Sequence, residues 1–141
     1  MAGVNPRRIV LGALLGAVVW NILGYIVDGV VLAPRYPAAQ AAGYYLKEPR
    51  YPLFTLYWVV TIFLVAYILA WFYAAMRATM GPGPRTALKV GFFAGFAIAF
   101  PVSLAEAAWL PVDRVFVFWH MVDLWVGALL ATFVAGWVYK D

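Results

Sequence analysis

The residues best placed for chemistry lie in Trp119-His120-Met121-Val122-Asp123, near the head of the last apolar segment, where ionisable side chains are unfavourable. His120 is the chain's one histidine, and Asp123 follows it by three positions, so on a helix both groups share a face and can serve one partner. Asp28 and Glu106 belong to two other apolar segments. Asp28 precedes Pro34 by six residues, Glu106 precedes Pro111 by five, and His120 and Asp123 follow Arg114 by six and nine. At 1.5 Å per residue all four lie within about 7–14 Å of one set of helix ends, so they are expected to form a single polar layer. Three chemistries suit it: a hydrogen-bonded network gluing the helices, a proton relay, or a metal or haem site. The last is a thin ligand set, with one histidine and no cysteine anywhere in the chain, so no metal and no cofactor is assigned. No nucleophile–base pair can be named, so no catalytic residue is assigned either.

What must hold these groups is a membrane architecture. Of 141 residues, 67% are hydrophobic and 11% charged, and the mean hydropathy is +0.89. Charged residues alone make up about a quarter of a soluble domain. Four apolar segments, at about 8–32, 53–76, 87–110 and 115–139, each come near the ~20 residues needed to cross a bilayer. The expectation is an all-α polytopic protein, one four-helix transmembrane domain over residues 1–141, with an outer loop at 33–52. The first segment is too long for a signal peptide and contains Asp28, so it is expected to stay as the first helix.

Orientation follows from the cations. Arg7, Arg8, Arg77, Arg85, Lys89 and Lys140 flank one side, against Arg35, Lys47, Arg50 and Arg114 on the other, which places both termini in the cytoplasm. The net charge of +4 is explained by this bias and calls for no nucleic acid. Gly81-Pro82-Gly83-Pro84 reads as a rigid tight turn with Pro84 at a helix start. The outer loop repeats Pro34-Arg35-Tyr36-Pro37 as Pro49-Arg50-Tyr51-Pro52, with room between for a short helix on the membrane surface. Tyr36, Tyr44, Tyr45 and Tyr51 are read as headgroup anchors, with a lid over the bundle mouth as the alternative.

Helices in lipid associate through small residues. Gly12, Gly16 and Gly24 form a stripe on segment one, Gly91 and Gly95 on segment three, and Gly127 with Ala131 and Ala135 on segment four, each stripe leading to an acid. Asn21 is expected to hydrogen-bond across an interface, and Pro101 to free the carbonyl of Ala97. A parallel duplication is suggested by Pro6-Arg7 and Pro84-Arg85, each followed at the same interval by an acid, Asp28 or Glu106.

The runs Tyr73-Ala74-Ala75-Met76-Arg77, Gly81-Pro82-Gly83-Pro84-Arg85-Thr86-Ala87 and Ala135-Gly136-Trp137-Val138-Tyr139-Lys140, with Gly29-Val30-Val31-Leu32 after Asp28, resemble a family of bacterial four-helix membrane proteins of unassigned function. The resemblance implies a multi-pass protein of the bacterial inner membrane, with acids in its first and fourth helices matched by Asp28 and Asp123; His120 is outside its pattern. Little extramembrane mass is left for soluble chemistry. The expected function is therefore a non-enzymatic accessory or partner-binding subunit in the lipid bilayer, joined to a protein partner or to its own copies. A small proton-coupled transporter, working as a dimer through Asp28, Glu106 and Asp123, is the alternative.

Overall fold

The computed structural model describes residues 4–139, so Lys140, counted above among the cations, lies outside the described residues. Regular structure among them is helical: α1 (Pro6–Ile26), α2 (Tyr36–Ala41), α3 (Phe54–Met80), α4 (Pro84–Trp109) and α5 (Arg114–Val138). The protein is an all-α bundle with four helices, α1, α3, α4 and α5, long and apolar enough to span a membrane. Its exterior agrees: Tyr25, Phe93, Trp109 and Trp137 are 68–86% exposed, a surface that suits acyl chains rather than water.

Local chemistry sets the helix ends. Asn5 caps α1 by accepting the Arg8 N–H, and Pro6 occupies the first helical position, where its missing N–H does no harm. α3 continues to Met80, past the expected 76, because nothing before Gly81 resists the helix; Gly81 (φ +82°) and Gly83 (φ +124°) then adopt angles open only to glycine. Tyr73 hydroxyl accepts the Gly83 N–H at 3.1 Å and the Thr86 hydroxyl donates to the Gly81 carbonyl at 2.7 Å, so the turn is pinned from both sides. Asp113 caps α5 through the Val115 N–H and pairs with Arg35 at 2.9 Å. Arg35 therefore runs sideways along the rim rather than down toward the carboxyls. Both partners are half-exposed, so the bridge contributes at most about 1 kcal/mol.

α5 is the hub. It packs against α1, α3 and α4, α3 touches the other three, and α1 and α4 do not meet among the described residues. The α1–α5 seam is a ladder of four-residue steps running in opposite directions: Gly12 against Ala135, Gly16 against Ala131, Trp20 against Gly127, Gly24 against Asp123. Small residues let the backbones approach, and the one large side chain, Trp20, is matched by a glycine. On the other side Gly91 lies against Leu129 and Thr132, Gly95 against Trp125 and Ala128, while the Trp125 indole N–H donates to the Phe92 carbonyl at 3.1 Å. Asn21 departs from expectation: its amide donates to the Ala17 carbonyl of its own helix at 2.9 Å, the nearest acceptor one turn back. At the end carrying the termini, Tyr139 accepts the Asn5 N–H on its hydroxyl at 2.8 Å and receives the Arg77 guanidinium over its ring at 4.7 Å.

Candidate functional site

At the opposite end α1 widens. From Val27 to Val31 the backbone takes a π turn, the Leu32 N–H donating to the Val27 carbonyl at 2.8 Å, and Asp28 lies on that turn. Such single wide turns occur often at functional sites, because they re-aim a side chain without ending the helix. Strict continuation of the α1–α5 ladder would set residue 28 against Trp119; Asp28 meets His120 instead, one position away, with Oδ1 3.3 Å from Nε2. This contact is an ion pair whenever the imidazole is protonated. A short 3-10 turn (Ala33–Arg35) then folds α2 back over the same spot, and the Tyr36 hydroxyl donates to Asp28 Oδ1 at 2.9 Å. One carboxylate oxygen thus collects a phenol and an imidazole from two other elements.

An aromatic cap covers this trio. Tyr36 meets Tyr45 and Phe116 edge-on at 5.4 and 5.1 Å, Tyr45 meets Phe116 at 5.2 Å, and Phe116 lies 6.2 Å from the His120 ring. The cap is partial: the side chains of His120 and Asp28 keep 30% and 40% exposure. Two of the tyrosines read as headgroup anchors, Tyr36 and Tyr45, therefore turn inward, since the Asp28 acceptor and an aromatic wall outcompete the headgroup level for them. Tyr44 and Tyr51 remain exposed.

Behind the trio stands Asp123, 3% exposed, its carboxyl over Gly24 and within the fields of Asp28, His120 and the Trp20 indole. Its Oδ1 lacks a hydrogen-bond partner of good geometry, and so does the equally buried Trp20 Nε1. Beyond Asp123 the polar path closes on Ala17, Trp20, Ile62, Ala66, Leu69, Ala128 and Ala131. Glu106, on α4, is half-buried and reached differently: the phenol of Tyr45 stands in the fields of both Glu106 and Asp28. Among the described residues no three histidine or acidic side chains are grouped to hold a metal ion.

Burial, followed by the Asp28 charge and the hydrogen bond to it, pushes the Tyr36 phenol well above the ordinary phenol range; burial, then Glu106 and Asp28, raises that of Tyr45. A raised folded-state value means that Tyr36 contributes stability below the unfolded phenol's pKa of about 10 and loses it as pH climbs beyond. Tyrosinate absorbance near pH 10 is therefore expected to be the same in the wild type and in Tyr36→Phe, while the alkaline fall in stability is shallower in the variant. A smaller tyrosinate signal in Tyr36→Phe at pH 10 would show that Tyr36 is an ordinary exposed phenol.

Sequence reasoning overlooked Trp20, Phe116 and the π turn. Trp20 was detectable, since it sits at the vacant step of the stripe Gly12, Gly16, Gly24 and Asp28. The π turn had no such signal. No family model matches the chain, and neither a curated protein nor a solved structure matches it, so the likeness carried by the Gly81-Pro84 turn stands on those residues alone.

Proposed function

We infer that the chain is a non-enzymatic multi-pass protein of a bacterial inner membrane, both termini cytoplasmic, serving as an accessory or partner-binding subunit whose outer face carries a proton-responsive site. The observation supporting this reading is the one-sidedness of the polar path. His120, Asp28 and Tyr36 lie under a partial cap at the loop end, with Asp123 just behind them. From Asp123 to Val138 the hub helix runs another fifteen residues, roughly 23 Å, apolar or small but for Thr132. Within that stretch the Thr132 hydroxyl is engaged by the Ala128 carbonyl of its own helix. A carrier must offer its site to both compartments in turn, whereas a site open to one compartment suits a subunit that reports the acidity of that side to a neighbour. The orientation is supported by the terminal face, where Arg7, Arg8, Arg77, Arg85 and Lys89 gather and no acid occurs among the described residues.

The alternative, a proton-coupled transporter using Asp28, Glu106 and Asp123, is favoured by one feature, the unpartnered buried oxygen of Asp123. Extraction from native membranes in a mild detergent distinguishes the two. The accessory reading expects a stable complex larger than the chain, whose retention changes with the pH of the outer side and loses that dependence in His120→Gln. A chain recovered alone, which on reconstitution drives acid-dependent flux abolished by Asp123→Asn, would replace it with the transporter reading.

A further inference from the structure

Between α3 and α4, near the terminal face and away from the polar site, lies an open groove of about 380 Å³. Phe72, Met76 and Met80 form one wall, and Lys89, Phe93 and Ala94 the other. The volume falls within the roughly 300–1,000 Å³ of ligand-sized pockets. Its walls are apolar apart from Lys89, and methionines make them adaptable. Lys89 follows Pro84 by five residues, about 7.5 Å along α4, which sets its ammonium where a snorkelling side chain meets the headgroups. Arg85, one helical turn nearer the water on the same stripe, is also exposed. The acids among the described residues, Asp28, Glu48, Glu106, Asp113 and Asp123, all belong to the loop half, away from Lys89 in the groove wall and Arg85 one turn beyond it.

We propose that this groove seats one anionic phospholipid, an acyl chain lying against Phe72, Met76, Phe93 and Ala94 and the phosphate held by Lys89 and Arg85. An acyl chain matches apolar walls at this depth, and net negative charge is what a cation pair recruits where, among the described residues, every carboxylate belongs to the other half. A zwitterionic lipid brings its own cation to the same place and is disfavoured.

The test uses the full chain, delipidated in a mild detergent and titrated separately with phosphatidylglycerol and phosphatidylcholine, with bound lipid counted by native mass spectrometry. The wild type is expected to retain one phosphatidylglycerol at least ten-fold more tightly than phosphatidylcholine. Lys89→Gln and Arg85→Gln, both at exposed positions and so compatible with the fold, are each expected to reduce that preference about five-fold while phosphatidylcholine binding holds. Ala94→Phe, which fills the groove, is expected to lose both lipids. Equal retention of the two lipids by the wild type overturns the proposal, as does a preference that survives the combined Lys89→Gln and Arg85→Gln changes. A lipid-independent dimer lost in Ala94→Phe would assign the groove to a second copy of the chain and overturn it equally.

Discussion

Gly127→Ala is expected to destabilise the bundle by about 2–3 kcal/mol, since one added methyl in a tight interface forces a large side chain off its position. A Cβ at residue 127 falls inside the Trp20 indole, and Trp20, 1% exposed, has nowhere to retreat. Moving the ring would part α1 from α5 along the whole ladder, because the rungs on either side, Gly16 against Ala131 and Gly24 against Asp123, share the same two backbones. The neighbouring rung supplies the control. A Cβ on Gly24 would stand 3.5 Å from Asp123 Oδ1, an ordinary contact, so Gly24→Ala is expected to shift stability by less than about 1 kcal/mol. Reversible unfolding in detergent measures both, and Trp20→Leu added to Gly127→Ala should recover part of the loss. A Gly127→Ala protein as stable as the wild type would refute the α1–α5 register.

Asp123→Asn is expected to act in the opposite direction, stabilising the fold by about 1–2 kcal/mol, because an ionisable group held away from water costs more than a neutral amide of the same shape. The asparagine keeps an oxygen available to the Trp20 indole and takes an ionisable group out of an almost fully buried position. His120 loses little, since its closest carboxylate is Asp28 at 3.3 Å. The gain in stability should accompany loss of the pH-dependent partner retention proposed above, the opposition expected of a group kept for function against stability. If Asp123→Asn unfolds more readily than the wild type, the carboxylate is satisfied in the folded protein and has a structural role.

The regular parts of this fold were legible because they repeat. Apolar length marked four spans, and steps of four along Gly12, Gly16 and Gly24, and along Asp123, Gly127, Ala131 and Ala135, marked the two faces that form the α1–α5 ladder. Helix ends were legible where proline marked them, as at Pro84, and less so elsewhere: α3 runs on to Met80 and not to 76. The site was legible in composition and illegible in aim. Depth arithmetic brings Asp28 to the level of His120, but the one-position shift that joins them comes with a π turn on which Tyr36 and His120 both hold Asp28, contacts distant in sequence. Tyr36 and Tyr45 carried the pattern of interface residues, and their inward turn depends on Phe116, seventy-one or more positions away in the chain. Glu106 shares the level but sits on α4, which does not touch α1 among the described residues, and Tyr45 stands in the fields of both it and Asp28.

The central place of α5 also has a bearing on biogenesis. It is synthesised after α1, α3 and α4, yet the glycine faces of both α1 and α4 close on it alone. Until it leaves the ribosome and enters the bilayer, α1 and α4 can pack only on α3, their glycine faces stay open, and Asp28 has no imidazole to meet. Closure of the two glycine seams and completion of the polar site are therefore one late event, and a chain truncated ahead of Arg114 would present membrane quality control with two open seams.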